Sequence, residues 1–354
     1  MDSQGGSSVV VVGAGVFGLT TAVRLAEAGL RVRVIASVTS GSTASGVAAG
    51  MLAPAFETAL DPPGDDSLAL MLAGRDHWPA LATRLGLALD RSGAVATGPD
   101  GWMAKLETRL SSAGLRPRWV ARPDLEAWAP GVNPTFSRGL LSQEDWRIEP
   151  RAAIAALASR LKVLGGRIER GVLSPDAARA LSEPLVLATG MDRSLVRLAP
   201  ELACLRPIKG QILHRGDMPG PTGVIRSEGV YALSSGRDLL AGATMEDGRE
   251  DLAADRSAQA GLRSAIRRLF PDLPASGWRT RVGVRSASPD GLPLAGRSAR
   301  SGVFLAVGAR RNGWLLAPLV AEIVTAAVTG EDGGPWGRRL DPSRFVPGAG
   351  EVQP

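Results

Sequence analysis

Apolar positions along this chain recur at two periods, and the changes between them mark its elements. Val9-Val10-Val11-Val12 is an unbroken apolar run, the pattern of a strand buried on both faces. Helix-periodic apolar positions follow as far as Ala28, and Arg31–Ala36 predicts a second strand. Residues 66–85 have the spacing of one long amphipathic helix. Between 87 and 141 short strand and helix patterns alternate with Gly and Pro, in no strand–helix–strand rhythm, which suggests a different layer. Residues 151–164 predict a helix stopped by Gly165-Gly166, then a strand at 167–172 and a buried strand at 184–190. Strand patterns at 205–215, 224–226, 230–234 and 239–244, with turns at 227–229 and 235–236, predict an antiparallel sheet. A helix is expected over 255–270, strands over 278–286 and 302–307, a turn over 308–313, and a helix to about Val328. Pro318 is placed near the first turn of that helix, where proline is tolerated.

The strand at Val9 runs into Gly13-Ala14-Gly15-Val16-Phe17-Gly18, a G-x-G-x-x-G turn, and then into a helix. That order is the context a dinucleotide-binding turn requires. Gly13 allows the tight turn, Gly15 lets backbone approach a pyrophosphate, and Gly18 lets helix and strand pack closely. Free N–H groups at the helix start and the positive end of its dipole favour phosphate. An acidic ribose ligand is expected at the end of the second strand; Ala36 stands there, followed by Ser37. Ser37 either supplies one hydrogen bond to the ligand or starts the next turn.

A chain of 354 residues suggests about two domains. The net charge of +6 is carried almost wholly by arginine, with Lys105, Lys162 and Lys209 the only lysines. The arginines are scattered, with no basic stripe and no interleaved stacking aromatics, which argues against nucleic acid as a partner. Cys204 is alone, so no disulfide framework or thiolate metal site can form within the chain, and His77 and His214 cannot build a histidine metal site. The first residues show neither a basic nor an apolar leader, and no apolar run is long enough to span a bilayer. A cytoplasmic protein with no membrane partner is the expectation.

Residues 41–54, GSTASGVAAGMLAP, are too rich in small residues for an ordinary loop and too apolar for a linker. From Ser45 to Pro54 the segment resembles the one that passes over the flavin ring in the D-amino-acid oxidase superfamily. Separated motifs place the chain near the glycine oxidase branch of that superfamily. They are the Gly13–Gly18 turn, Ala48-Ala49-Gly50-Met51, Arg206-Pro207-Ile208-Lys209-Gly210-Gln211 and Gly242-Ala243-Thr244-Met245-Glu246-Asp247. Further on come Arg285 with Ser288-Pro289-Asp290-Gly291-Leu292-Pro293, Arg311-Asn312-Gly313 followed by Leu315-Leu316-Ala317-Pro318, and the tail Leu340-Asp341-Pro342-Ser343-Arg344-Phe345.

The resemblance implies an α/β fold: a Rossmann-type, glutathione-reductase-like FAD-binding domain with an inserted, mainly antiparallel substrate domain, as in D-amino-acid oxidase. The FAD-binding domain is expected over 1–84, 146–202 and 284–345, the substrate domain over 85–145 and 203–283, and a tail over 346–354. It implies non-covalent FAD, since a covalent flavin would need a cysteine near the C-terminal motifs. It also implies a small amino acid and oxygen as reactants, hydrogen peroxide as product, a link to the thiazole of thiamine, and a homo-oligomer. Cofactor contacts are implied for Gly13, Gly15, Val16, Gly18, Ser37, Ser45, Ala48, Ala49, Gly50, Met51, Val172, Thr189, Gly190, Gly308, Arg311, Asn312, Gly313, Trp314 and Leu315. Val172 is expected near the adenine and Thr189-Gly190 near the pyrophosphate.

Arg285 matches the guanidinium that clamps the substrate carboxylate, a task suited to a planar, permanently charged group. Tyr231, the one tyrosine, matches its partner hydroxyl, and Arg311 a second arginine near the substrate. Met51 is either core or a substrate contact. The chain departs from the family pattern at Ala309, where a histidine is usual, at Val284-Arg285-Ser286, where Leu-Arg-Pro is usual, and at Ala36. Competing readings are a D-amino-acid dehydrogenase, a sarcosine-type secondary-amine oxidase, and a degenerate flavin-binding protein without activity. A tRNA-modifying relative normally carries a fused methyltransferase, for which 354 residues leave no room.

Overall fold

The computed structural model describes residues 7–37, 43–61, 67–218 and 220–345. Gly41 and Ser42, Asp66 and the tail 346–354 of the expectations above lie outside them. Among the described residues two sheets organise the chain. The first has six strands in the order Leu294–Arg297, Val303–Val307, Leu185–Leu187, Ser8–Val12, Arg31–Ala36 and Arg167–Arg170. All neighbours are parallel except the outermost pair, Leu294–Arg297 with Val303–Val307. The valine run sits at its centre and is buried on both faces. The helix Val16–Glu27 packs on one face with Gly313–Thr329.

The second sheet has nine strands and is mainly antiparallel. Arg206–Arg215 is its organising strand. It pairs with Asp238–Gly242 and Glu246–Asp247 along one edge and with Arg279–Ala287 over nine residues along the other. The order continues through Val230–Ser235, Val224–Ser227, Ala94–Ala96, Arg138–Ser142 and Arg118–Ala121, with one parallel pair, Ala94–Ala96 on Val224–Ser227. The strand Arg279–Ala287 stays in this sheet past residue 284. A two-stranded ribbon of Met51–Leu52 and Trp146–Arg147 accompanies the two sheets.

Several elements differ from their sequence patterns. The expected helix over 66–85 is two helices, Ser67–Asp76 and Trp78–Leu85, broken at His77. Pro79 has no N–H to offer the Arg75 carbonyl, so the helix cannot continue through it. Pro318 is the sixth residue of Gly313–Thr329, inside the helix and not in its first turn. Its missing N–H frees the Trp314 carbonyl, and the buried indole Nε1 of Trp78 donates to that oxygen at 2.9 Å. The broken helix thus supplies the hydrogen bond that the mid-helix proline removes. The strands near 170 and 187 end two and three residues early, at Arg170 and Leu187, where the chain leaves the sheet for a cavity wall. The strand ending in the GATMED motif stops at Gly242, and Thr244 N–H donates to the Gln211 carbonyl at 3.1 Å. No single helix among the described residues is long and apolar enough to cross a membrane.

Candidate active site

Two cavities meet where the sheets face each other. The larger, about 510 Å³, opens over the glycine turn at the carboxyl ends of the parallel strands. That is the edge at which open α/β sheets hold ligands. Gly13 has φ +110°, and a Cβ there would overlap the Ala188 carbonyl oxygen. At Gly18 a Cβ would overlap the Gly13 carbonyl oxygen. Both glycines therefore serve packing between turn, strand and helix. Gly15 differs: its absent Cβ would meet only Ser45 Oγ, at 3.3 Å, so this backbone faces open cavity. Ser45 Oγ accepts from Val16 N–H at 3.0 Å, and Ser45 O accepts from Trp314 Nε1 at 3.1 Å. The small-residue segment is thereby tied to both helices whose N-termini border the cavity.

The smaller cavity, about 300 Å³, has one face of the second sheet as its floor. Directly paired residues of adjacent antiparallel strands share a face. The pairs Arg226 with Tyr231, Tyr231 with Gly242, Gly242 with Ile212, and Gly210 with Gly283 therefore form one row. Arg285 belongs to it, two residues beyond Gly283. The glycines in the row make room for the large side chains. A Cβ at Gly210 would collide with the Arg285 guanidinium, and one at Gly242 with the Tyr231 hydroxyl.

Arg285 lines both cavities. Its Nη1 reaches only the Thr244 carbonyl and Met245 Sδ, each at 3.4 Å. It has no carboxylate partner among the described residues. Burial pushes its pKa down, with Tyr231 opposing and the Arg311 charge adding to the fall. Burial pushes the Tyr231 hydroxyl up to about 12, against the charges of Arg285 and Arg226. Thr244, which holds Arg285, is itself fixed: its hydroxyl accepts from Gln211 N–H at 2.9 Å and donates to Glu246 at 2.7 Å. Buried Lys209 ties the next loop down through Asp251 at 2.7 Å.

The opposite wall is charged. The helix Pro54–Leu60 carries Glu57, which pairs with Arg226 at 2.9 Å and with Arg311 at 2.9 Å. Arg311 also pairs with Asp61 at 2.9 Å, and Asp61 with Arg310. Glu57 is buried, which by itself raises a carboxyl, but Arg311 and Arg226 together hold it below the ordinary value. The N-terminus of this short helix is capped from a distance. Asp145 accepts from Ala55 N–H at 2.8 Å and from Phe56 N–H at 3.2 Å. Burial pushes the Asp145 carboxyl up to about 7, despite the Arg226 charge and the two backbone donors.

Of the implied cofactor residues, Gly13, Gly15, Val16, Ser37, Ser45, Ala48, Val172, Thr189, Gly190, Gly308, Arg311, Gly313 and Trp314 line the larger cavity. Ala49, Gly50, Met51 and Asn312 line the smaller one instead, with Tyr231. Gly18 and Leu315 line neither: Gly18 is packed as described, and Leu315 is 1 % exposed in the core of the first sheet. The Leu315 side chain falls on the inner face of its helix, and its backbone N–H belongs to the first turn. Cys204 lines neither cavity, and burial raises its thiol. The Ser288–Pro293 motif is joined to the tail motif by Arg344 and Asp290, at 3.0 Å. Sequence reading passed over Glu57, Asp61, Asp145 and Arg226. A charge inside the apolar run Ala53–Ala59 was the one available signal, for Glu57.

The profile of the DAO family, described as "FAD dependent oxidoreductase", matches residues 8–327. The chain is 29% identical over 381 residues to a glycine oxidase of Pseudomonas aeruginosa, covering 96% of this chain and 98% of that one. It is 30% identical over 339 residues to a "Putative thiamine biosynthesis oxidoreductase ThiO" of Rhizobium etli, covering 92% and 98%. The crystal structure of glycine oxidase from Geobacillus kaustophilus shares the fold, with a TM-score of 0.82 at 24% identity over 96% of this chain and 98% of that one.

Proposed function

Because the chain belongs to the FAD dependent oxidoreductase family, and is an FAD-dependent amino-acid oxidase by that membership and its relatives, we propose that it oxidises glycine or a similarly small amino acid at Cα. The single observation that carries this reading is Arg285, a half-buried guanidinium with no carboxylate partner among the described residues, where the two cavities meet. The names of its relatives support a role for the product in making the thiazole of thiamine.

The larger cavity fits FAD. Gly15 leaves its backbone bare where a side chain would otherwise stand, and the N-termini of Val16–Glu27 and Gly313–Thr329 face the space. We assign the pyrophosphate to the Gly15–Val16 turn and the adenine to the wall at Val172. FAD held there would supply a two-electron acceptor for the hydride leaving Cα, with oxygen taking those two electrons and two protons to give hydrogen peroxide, while water would hydrolyse the imine to glyoxylate and ammonia.

The chain's own residues bind and orient. Arg285 holds the substrate carboxylate with two parallel N–H donors. The Tyr231 hydroxyl, pushed to about 12, stays protonated at neutral pH and donates to the same carboxylate. Arg311 is held by Glu57 and Asp61, so it contributes positive potential at the cavity junction more than a free hand for ligand. That potential favours the amine in its neutral form, the form that can lose hydride from Cα. Met51, with its Sδ 3.4 Å from Arg226 Nη2, contributes apolar wall.

The test is anaerobic addition of glycine to the purified yellow protein. Loss of flavin colour, with recovery and peroxide on admitting air, is the expected result. Arg285→Met is expected to lower kcat/KM by about 100-fold or more, since a charge-assisted bidentate pair is removed. A holoprotein that keeps its colour with glycine, sarcosine and D-alanine alike overturns the reading.

A further inference from the structure

The smaller cavity holds more cationic hydrogen-bonding capacity than one carboxylate uses. Arg285 stands at one end of the row across the sheet floor and Arg226 at the other, with Gly210, Gly242 and Tyr231 between them. Arg226 is 3 % exposed, and that exposure is to this cavity. Of its three nitrogens, one is used by the protein: Nη2 donates to Glu57 at 2.9 Å and lies 3.4 Å from Met51 Sδ. Its Nε is buried and its Nη1 is not, and neither has a hydrogen-bond partner among the described residues. Glu57 does not need Arg226 for neutralisation, because Arg311 already meets both of its oxygens, at 2.9 and 3.2 Å. A buried guanidinium with unused donors carries a desolvation cost that a ligand anion would offset.

We propose that Arg226 is a second anion-binding group, and that the preferred substrate is a small amine bearing two carboxylates, one held by Arg285 and the other by Arg226. This rests on the reading of Arg285 given above and narrows it. Space agrees: about 300 Å³ is room for roughly ten water-sized volumes, whereas glycine has five heavy atoms. Charge agrees as well. Arg226, Arg285 and Arg311 line this cavity with Glu57, and that carboxylate is already bonded within the protein. The second carboxylate sits either on the nitrogen substituent, as in iminodiacetate, or on the side chain, as in D-aspartate. The assay separates the two.

The experiment compares kcat/KM of the holoenzyme for glycine, sarcosine, iminodiacetate and D-aspartate. Alongside, the flavin spectrum is titrated with malonate, succinate and acetate, which bind without turnover. The expected result is at least a tenfold advantage for one of the two dicarboxylic amines over its monocarboxylic counterpart, and tighter binding of malonate or succinate than of acetate. Arg226→Gln should cut that advantage at least tenfold, and Arg226→Lys, which keeps the charge, should restore part of it. Should Arg226→Gln not fold, the wild-type panel and the inert-anion titration decide alone. Bleaching by glycine with no dicarboxylate advantage and no preference for malonate or succinate over acetate overturns this proposal and leaves the oxidase reading standing. An unchanged advantage in a folded Arg226→Gln protein overturns it too. If no amine bleaches the flavin, the oxidase reading fails, and the titration still answers for Arg226.

Discussion

The two cavities are built from different materials. Around the glycine turn the wall is backbone and small side chains, shaped by where Cβ atoms are missing. Across the junction the wall is charge: three arginines and two carboxylates on and beside one short helix, with a third carboxylate capping it. A site made from absent atoms fails when an atom is added. A site made from paired charges fails when a partner is removed. Each wall can be attacked by the change that leaves the other intact.

The largest expected effect is at the charged wall. Glu57→Gln removes the carboxylate between Arg226 and Arg311; Arg311 keeps Asp61, but the buried Arg226 guanidinium loses its carboxylate partner. Breaking such a pair from one side costs about 3–5 kcal/mol. Chemical denaturation of the apoprotein measures it. A loss below about 1 kcal/mol would mean that water in the cavity compensates these arginines, as for an exposed pair, and the contrast between the walls would shrink.

Next comes the carboxylate that caps the helix. Asp145 is pushed from the ordinary 3.8 to about 7 by burial. A carboxyl raised on folding binds a proton more tightly in the folded chain, so its contribution is full below about pH 4 and is lost as pH rises toward 7. Three pH units amount to about 4 kcal/mol. Relative to Asp145→Asn, the wild type should therefore lose stability progressively from pH 4 to pH 7. The difference between the two stability–pH curves checks it. A flat difference would mean that the two backbone donors hold Asp145 ionised throughout.

The glycine wall is tested by adding a single methyl group. Gly18→Ala drives a Cβ into the Gly13 carbonyl, which is backbone and cannot turn aside, and should cost about 2 kcal/mol in the apoprotein. Gly15→Ala meets only a serine hydroxyl at 3.3 Å. It should leave apoprotein stability nearly unchanged and weaken FAD instead. Thermal unfolding without FAD, set against FAD titration, separates the two. Equal losses of stability would erase the distinction drawn between these glycines.

The same difference in material decides what the sequence reveals. The turn, its strand and its helix are contiguous, so the places of Gly13, Gly15 and Gly18 are legible in the local sequence alone. The charged wall joins Glu57 to Arg226 across 169 residues and Asp145 to Phe56 across 89. Those contacts depend on which strands become neighbours, and no local period carries that information. Arg285 and Tyr231 were found through family resemblance. The glycines that give them room, Gly210 and Gly242, lie on other strands, and only the sheet register shows why they are glycine. Leu315 shows the opposite case: it adjoins cavity residues in sequence, but the helical turn rotates its side chain into the core.

The smallest effect lies where the two regions are joined. Ser286 stands where the family pattern has proline, on the strand that carries Arg285. Its Oγ accepts from Gly308 N–H at 3.2 Å, and its carbonyl accepts from Arg310 N–H at 2.7 Å. The turn from the parallel sheet, which places Arg310 and Arg311, is thus fastened to the strand of the antiparallel sheet that places Arg285. Ser286→Ala keeps the second bond and removes the first. If water reaches the Gly308 N–H, the loss should be about 0.5 kcal/mol; if the donor stays dry and unpaired, it should approach about 1.5. Unfolding of the apoprotein distinguishes these cases, and hydrogen exchange at Gly308 reports the bond directly. Unchanged protection of that amide in the variant would show that the joint between the two walls does not run through this hydroxyl.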